Sequence, residues 1–179
     1  MDGMTRYVAL LRGINVGGHR RIAMADLRSL LEDLGYTGVA TYVQSGNAVF
    51  SGADADPEAV AERVRTGIRD VLGHDVPTAV RTAAELRAAV AANPFDVPDP
   101  SKFLVLFCTG TVDTEGLAGI DLSLHPKERM AVVGAQVYTC HEDGIRFAAL
   151  PAVVARHVDG TTTSRNWRTV LRLAEMAGD

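Results

Sequence analysis

Val39-Ala40-Thr41-Tyr42-Val43-Gln44-Ser45-Gly46-Asn47-Ala48-Val49-Phe50 decides the fold. Two runs of strand formers, 39–44 and 48–50, flank the turn cluster Ser45-Gly46-Asn47. They lie too close for a crossover, so they form an antiparallel hairpin. On its N-terminal side, Leu27, Leu30, Leu31 and Leu34 recur at i, i+3, i+4 and i+7. That spacing predicts a helix over 24–34, stopped by Gly35. Before it, the apolar run 7–11 reads as the first strand. On the C-terminal side, Asp56 is a natural helix cap and Pro57 fits the first helical position. Val60, Val64, Ile68 and Val71 supply the apolar stripe of that helix, and Gly73 closes it. A fourth strand over 76–80 and a short helix over 83–92 follow.

The order strand, helix, strand, strand, helix, strand is the split βαβ pattern of a ferredoxin-like sandwich. The expected fold class is therefore α+β: an antiparallel sheet with its helices on one face. A Pro-rich joint, Phe95-Asp96-Val97-Pro98-Asp99-Pro100, comes next, and the pattern then restarts. The run 103–107 reads as a strand, 114–120 as a short helix, and 130–133 with 136–139 as a hairpin around Gly134-Ala135. Pro151 argues against an unbroken helix over 147–156. The stretch 159–164 reads as a polar loop. A helix over 165–176 ends the pattern, with Trp167, Val170, Leu171 and Ala174 on one face. The second half thus reads as a second, irregular ferredoxin-like subdomain. The expected organisation is a subdomain over 1–94, a joint over 95–101 and a subdomain over 102–179.

Composition bounds the rest. The chain has 179 residues, 47% of them hydrophobic, as in a folded globular protein. No apolar run reaches the roughly 20 residues of a membrane helix. No charged-then-apolar leader is legible, so the expectation is a cytoplasmic protein without membrane partners. The two cysteines, Cys108 and Cys140, are read as buried thiols, with their pairing left open. The net charge of −4 and a pI near 5.7 disfavour a dedicated nucleic-acid binder.

Positive charge is nonetheless clustered. Leu10-Leu11-Arg12-Gly13-Ile14-Asn15-Val16-Gly17-Gly18 runs from a strand into a glycine loop, with Arg20 and Arg21 just beyond. Glycine lets backbone N–H groups turn toward a ligand, and arginine brings a fixed fork of donors. Arg12, Asn15, Gly17, Gly18 and Arg20 are therefore candidates for holding a phosphate or carboxylate. A tight structural turn with solvated arginines is the alternative. The loop is neither a P-loop nor a dinucleotide fingerprint.

A second candidate is Thr161-Thr162-Thr163-Ser164-Arg165-Asn166-Trp167. Ser164, with Thr163 as alternative, is expected to cap the last helix. A helix N-terminus presents free N–H groups to an anion. Thr163, Ser164, Arg165 and Asn166 are the candidates there. Gln44 and Asn47 of the hairpin are a third, able to read a ligand's polar edge; Gly46-Asn47 also suits a plain turn.

No metal site is expected. Cys140-His141-Glu142-Asp143 holds ligand-type residues, but Cys140 and His141 would point to opposite faces of a strand. No Gly-x-Ser-x-Gly motif and no carboxylate pair suggests catalysis, so neither a reaction nor a cofactor is assigned.

These motifs, in this order, resemble the DUF1697 family of uncharacterised, mainly bacterial proteins. The resemblance rests on Leu10 to Gly18, Met24-Ala25-Asp26-Leu27-Arg28, Tyr42-Val43-Gln44-Ser45-Gly46-Asn47 and Thr163-Ser164-Arg165-Asn166-Trp167. The family usually has threonine where this chain has Ser164, and lysines where it has His19, Arg20 and Arg21. The resemblance implies two ferredoxin-like subdomains and no activity. The functional expectation is a small anionic, phosphate-bearing ligand in a cleft formed by loop 12–21 and the Thr-rich helix start 161–167. The alternatives are a nucleic-acid accessory protein, or a protein-interaction or homodimer module. Oligomeric state is left open.

Overall fold

A computed structural model describes residues 3–178. The chain divides into two compact units, Met1–Ala88 with Leu173–Asp179, and Ala89–Arg172.

In the first unit, β1 (Thr5–Leu11), α1 (Met24–Asp33), β2 (Thr37–Tyr42), β3 (Asn47–Gly52), α2 (Pro57–Gly67), β4 (Thr78–Thr82) and α3 (Ala83–Ala91) follow in order. The sheet runs β2-β3-β1-β4, antiparallel throughout. This is the split βαβ topology expected from the hairpin. Tyr7, Ala9 and Leu11 of β1, with Ala48 and Phe50 of β3, form the floor of the core. Leu27, Leu30 and Leu31 of α1 and Val60 and Val64 of α2 cover it. Asp56 caps α2 through the Glu58 N–H, as expected. Thr82 and Glu85 form a reciprocal capping box at the start of α3.

Three local expectations are corrected. β2 ends at Tyr42 rather than Gln44, because Val43 adopts φ 51° and turns the chain. β4 starts at Thr78, past Pro77, whose ring nitrogen cannot donate to a ladder. The α2 stripe does not reach Val71, which is 67% exposed. A π-helical turn over Ile68–Leu72 adds a residue to the last turn and rotates Val71 outward.

The second unit holds β5 (Phe103–Cys108), α4 (Thr114–Ala118), β6 (Glu128–Val133), β7 (Gln136–His141), α5 (Leu150–Ala155), β8 (Thr162–Asn166) and the start of α6 (Trp167–Ala177). Its sheet runs β6-β7-β5-β8, the same arrangement again. Leu104, Leu106, Cys108 and Val137 pack with Leu117 of α4 and Val154 of α5. Pro151 sits in the first turn of α5, where its missing N–H costs nothing.

The largest correction lies here. The stretch read as a polar loop and helix start is strand β8, paired with β5 from Thr162↔Cys108 to Asn166↔Leu104. The last helix begins only at Trp167, and its cap is Asn166, whose Oδ1 accepts from the Thr169 N–H at 2.9 Å. Neither Ser164 nor Thr163 caps it. Leu171 is exposed, and the buried face carries Val170, Leu173 and Ala177.

Gly46 tests the packing at the hairpin turn. It has φ 86°, and a Cβ there would lie 2.7 Å from Ile14 Cδ1 and Leu11 Cβ. Gly46→Ala should therefore lose about 2–4 kcal/mol from strain and overpacking together. Urea denaturation reads this directly; a midpoint equal to wild type would contradict the packing described.

Candidate functional site

Loop 12–23 leaves the end of β1, the strand inside the sheet between β3 and β4. Its root is held from both sides: Leu11 N–H donates to the Gly46 carbonyl and Arg12 N–H to the Pro77 carbonyl, both at 2.9 Å. Ile14 and Ile22 are buried and anchor the loop at either end. Between them, Val16 to Arg21 is exposed.

Asn15 fixes the loop's shape. It sits at φ 55°, a region asparagine tolerates better than most residues. Its Oδ1 accepts from the Ile22 N–H at 2.9 Å. Its Nδ2 donates to the Ile22 carbonyl at 2.9 Å and to the Gln44 carbonyl at 2.6 Å. One side chain thus closes the loop on itself and ties it to the β2–β3 turn. The amide's donors and acceptor are largely spent on this pinning.

The turn is braced in the same way. Asn47 is fully buried, and its Nδ2 donates to the Tyr42 carbonyl at 2.9 Å and to Ser45 Oγ at 3.1 Å. Gln44 differs, because only its backbone carbonyl meets Asn15 and its residue is exposed. Asn15, Gly18, Arg21, Ile22, Ala23, Asp26 and Gln44 line an open cavity of about 610 Å³. No side chain caps α1 at that wall.

Arg12, Arg20 and Arg21 are exposed, and their guanidinium groups have no hydrogen bond or ion pair among the described residues. Arg20 lies against Gly13, its Nη1 3.5 Å from where a Cβ would stand. It also adds to the field, led by the Arg65 hydrogen bond, that lowers the Asp75 carboxyl. Gly17 and Gly18 take φ 59° and 79°, and their N–H groups have no partner among the described residues. Charge and donors are therefore concentrated on a pinned loop.

The second expected set lies on β8. Thr163 and Arg165 share one face of that strand, and Ser164 and Asn166 the other. Thr163 is buried and its hydroxyl has no hydrogen-bond partner among the described residues. Ser164 is exposed. Arg165 is half-buried, and its Nη1 donates to the Ser164 carbonyl at 2.9 Å. Desolvation pulls its guanidinium down to about 10, which leaves it charged at neutral pH. Asn166 is occupied in capping α6. Trp167 meets Phe103 edge-on, ring centroids 5.4 Å apart, as a packing anchor.

One polar cluster escaped the sequence reading. His141, on the inward face of β7, is buried. Its Nδ1 lies 2.7 Å from Glu128 Oε1 and its Nε2 2.7 Å from Thr139 Oγ1. The same Glu128 oxygen accepts from the N–H groups of Ala149, at 2.9 Å, and Leu150, at 3.2 Å, at the start of α5. His125 Nδ1 approaches Glu128 Oε2 at 3.5 Å. Burial holds the His141 imidazole below its ordinary range, against the opposing pull of Glu128. A neutral ring suits the geometry: Nδ1–H donates to the carboxylate and Nε2 accepts from the threonine hydroxyl. The hydroxyl, imidazole and carboxylate line up in sequence, with Thr139 0% exposed. The cluster clamps α5 to the sheet. The alternating pattern Thr139-Cys140-His141 was its one sequence signal; the pairing with Glu128 needed the hairpin register.

Among the described residues no cluster of metal-ligating side chains is present, and no helix is long and apolar enough to cross a membrane. Both cysteines are free thiols; Cys108 is buried, but Cys140 is only half-buried, a correction to the expectation.

Two expectations follow from the geometry. Asn15→Ala should cost about 1–3 kcal/mol and release the Ile22 amide to rapid hydrogen exchange; unchanged protection there would contradict the pinning. For His141, the folded ring resists the proton that the unfolded ring accepts near pH 6.5. Stability should therefore fall as pH drops below about 6.5, until the folded ring titrates too. His141→Asn should flatten that slope between pH 7.5 and 5.5 in thermal melts, and an unaltered slope would overturn the assignment.

Comparison with known proteins bears on family and fold. The family model described as "Protein of unknown function (DUF1697)" matches residues 4–138. No curated protein matches the chain. Among solved structures, the conserved bacterial protein SP0830 from Streptococcus pneumoniae is similar. It shares 24% identity and a TM-score of 0.72, over 97% of this chain and 99% of that one. That likeness speaks to the fold alone.

Proposed function

The chain belongs to the DUF1697 family of proteins of unknown function, and we propose that loop 12–21 binds a small anionic, phosphate-bearing ligand. One observation carries the reading: Arg12, Arg20 and Arg21 have no acid bonded to them among the described residues, on a loop that Asn15 holds in shape. A fixed backbone lowers the cost of engaging a phosphate, because the loop is ordered in advance and only the side chains remain to be fixed. Each charge-assisted hydrogen bond contributes about 1.5–3 kcal/mol. The Gly17 and Gly18 N–H groups add neutral donors with no Cβ in the way.

The adjoining cavity supports a ligand with more than a phosphate. Arg21 and Gly18 line one side, while Asp26 and Gln44 line it elsewhere. A phosphate at the arginines leaves the acceptors of Asp26 and Gln44 for hydroxyl groups on the ligand's body. A hydroxylated phosphomonoester fits this lining. Bare polyanions fit it less well, because Asp26 repels extended negative charge.

Calorimetric titration of the full chain at low salt with ribose 5-phosphate and with inorganic phosphate tests this. Ribose 5-phosphate should bind, and the Arg12→Ala/Arg20→Ala/Arg21→Ala variant should bind at least about tenfold more weakly. Affinity should fall with added salt, as expected of exposed charges. No heat for either probe at millimolar concentration, or equal binding by the triple variant, would overturn the proposal.

A further inference from the structure

A second cavity lies wholly within the second unit, away from loop 12–21 in sequence and in the residues that line it. Its volume is about 310 Å³, and its wall is largely apolar: Val97, Pro98, Phe103, Pro126 and Cys140. The Pro-rich joint supplies one side, and the outward face of β5 and β7 the other. Phe103 and Cys140 are cross-strand partners, and Arg129 pairs with Cys140 from β6. These three therefore stand in one row across the sheet, on the same face.

Most of the charged side chains around this cavity have hydrogen-bond partners. Lys102 Nζ donates to the Glu142 carbonyl at 2.9 Å. Lys127 pairs with Asp143 at 3.0 Å. Asp99 accepts from the Ser101 N–H and hydroxyl at 3.0 and 2.6 Å. Arg129 is different. Its guanidinium carbon stacks 4.8 Å above the Phe95 ring, yet it has no hydrogen bond or ion pair among the described residues. A cation over an aromatic ring is held there by the ring's quadrupole and keeps its N–H donors for an acceptor.

We propose that this cavity binds a small monocarboxylate with an aromatic or branched apolar body. The carboxylate takes the fork of Arg129, and the body packs against Phe103, Val97 and Pro126. A cavity of this size, with an apolar wall and polar groups around it, His141 among them, has the character of a small-molecule site. The single charge follows from the rim. Asp96 and Glu142 also line the cavity, so a dianionic phosphate meets repulsion that a carboxylate directed at Arg129 avoids. Burial pushes the Cys140 thiol up, so at neutral pH it is an uncharged part of the wall and adds no further repulsion.

The test uses the full chain and 4-fluorobenzoate, followed by fluorine NMR. Wild type should bind it, and 4-fluorobenzyl alcohol, of similar shape without the charge, should bind at least about tenfold more weakly. Arg129→Gln removes an exposed charge and its contact with Phe95, and should fold normally by circular dichroism. It should weaken 4-fluorobenzoate binding by at least about tenfold. Arg12→Ala should leave binding unchanged, which separates this site from the phosphate-binding proposal. Cys140 provides an independent readout: saturating 4-fluorobenzoate should slow its alkylation by iodoacetamide, measured by peptide mass spectrometry. Absence of binding at about 10 mM, equal binding by Arg129→Gln, or unaltered alkylation of Cys140 would each overturn the proposal.

Discussion

Each unit is built around a strand with neighbours on both edges and no exposure along its inner length. Leu10 and Leu11 of β1 are 1% and 0% exposed, and Arg12, one residue later, is exposed. A chain that leaves such a strand must satisfy its backbone at once, because no solvent reaches the last rungs. The Gly46 and Pro77 carbonyls accept those two N–H groups. That constraint explains why the loop after β1 is ordered at its root and why its charges appear together. It cannot wander back over the sheet, so its polar residues are held out at the sheet's end.

Much of the first unit was legible because its signals are local. Leucines at helical spacing, a capped proline start and a glycine turn each specify one element, and their order then leaves one sensible topology. The second unit was harder where tertiary pairing overrides composition. Thr162 to Asn166 carries no apolar residue, so nothing in its hydropathy announces a strand. It is a strand because it completes the ladder beside β5. The clue was topological. A second βαββαβ unit needs a fourth strand, and the stretch read as a polar loop was the only place left for one. Its run of β-branched threonines was compatible with that demand. The misplaced cap follows from the same error: once Ser164 lies on a strand, the first residue free to cap is Asn166.

The polar residues singled out from sequence have divided into two kinds. Asn15, Asn47 and Asn166 spend their amides on backbone groups, and each shapes a turn, a loop or a helix start. Arg12, Arg20 and Arg21 spend nothing of the kind. Sequence could name both kinds but could not separate them, because an asparagine beside a glycine has the same spelling in either role. The separation comes from hydrogen-bond partners alone. The two kinds also occur side by side. The backbone under Arg20 and Arg21 is held by Asn15, through the Ile22 amide and carbonyl and the Gln44 carbonyl.

The β6–β7 hairpin shows the same division across the two faces of a sheet. Glu128 and His141 are cross-strand partners on the inward side, and Arg129 and Cys140 are the adjacent pair on the outward side. The inward pair fixes the hairpin through four contacts: the histidine ring, the threonine hydroxyl beside it, and two N–H groups of α5. Successive side chains of a strand point to opposite faces, so fixing one residue's register fixes the face on which its neighbour emerges. Clamping Glu128 therefore also sets where Arg129 emerges beside Phe95. A buried ionisable cluster is a poor source of net stability, because desolvation offsets most of its attraction. Its value here is positional: it holds the strand's pleat, and the residue one step along inherits that order.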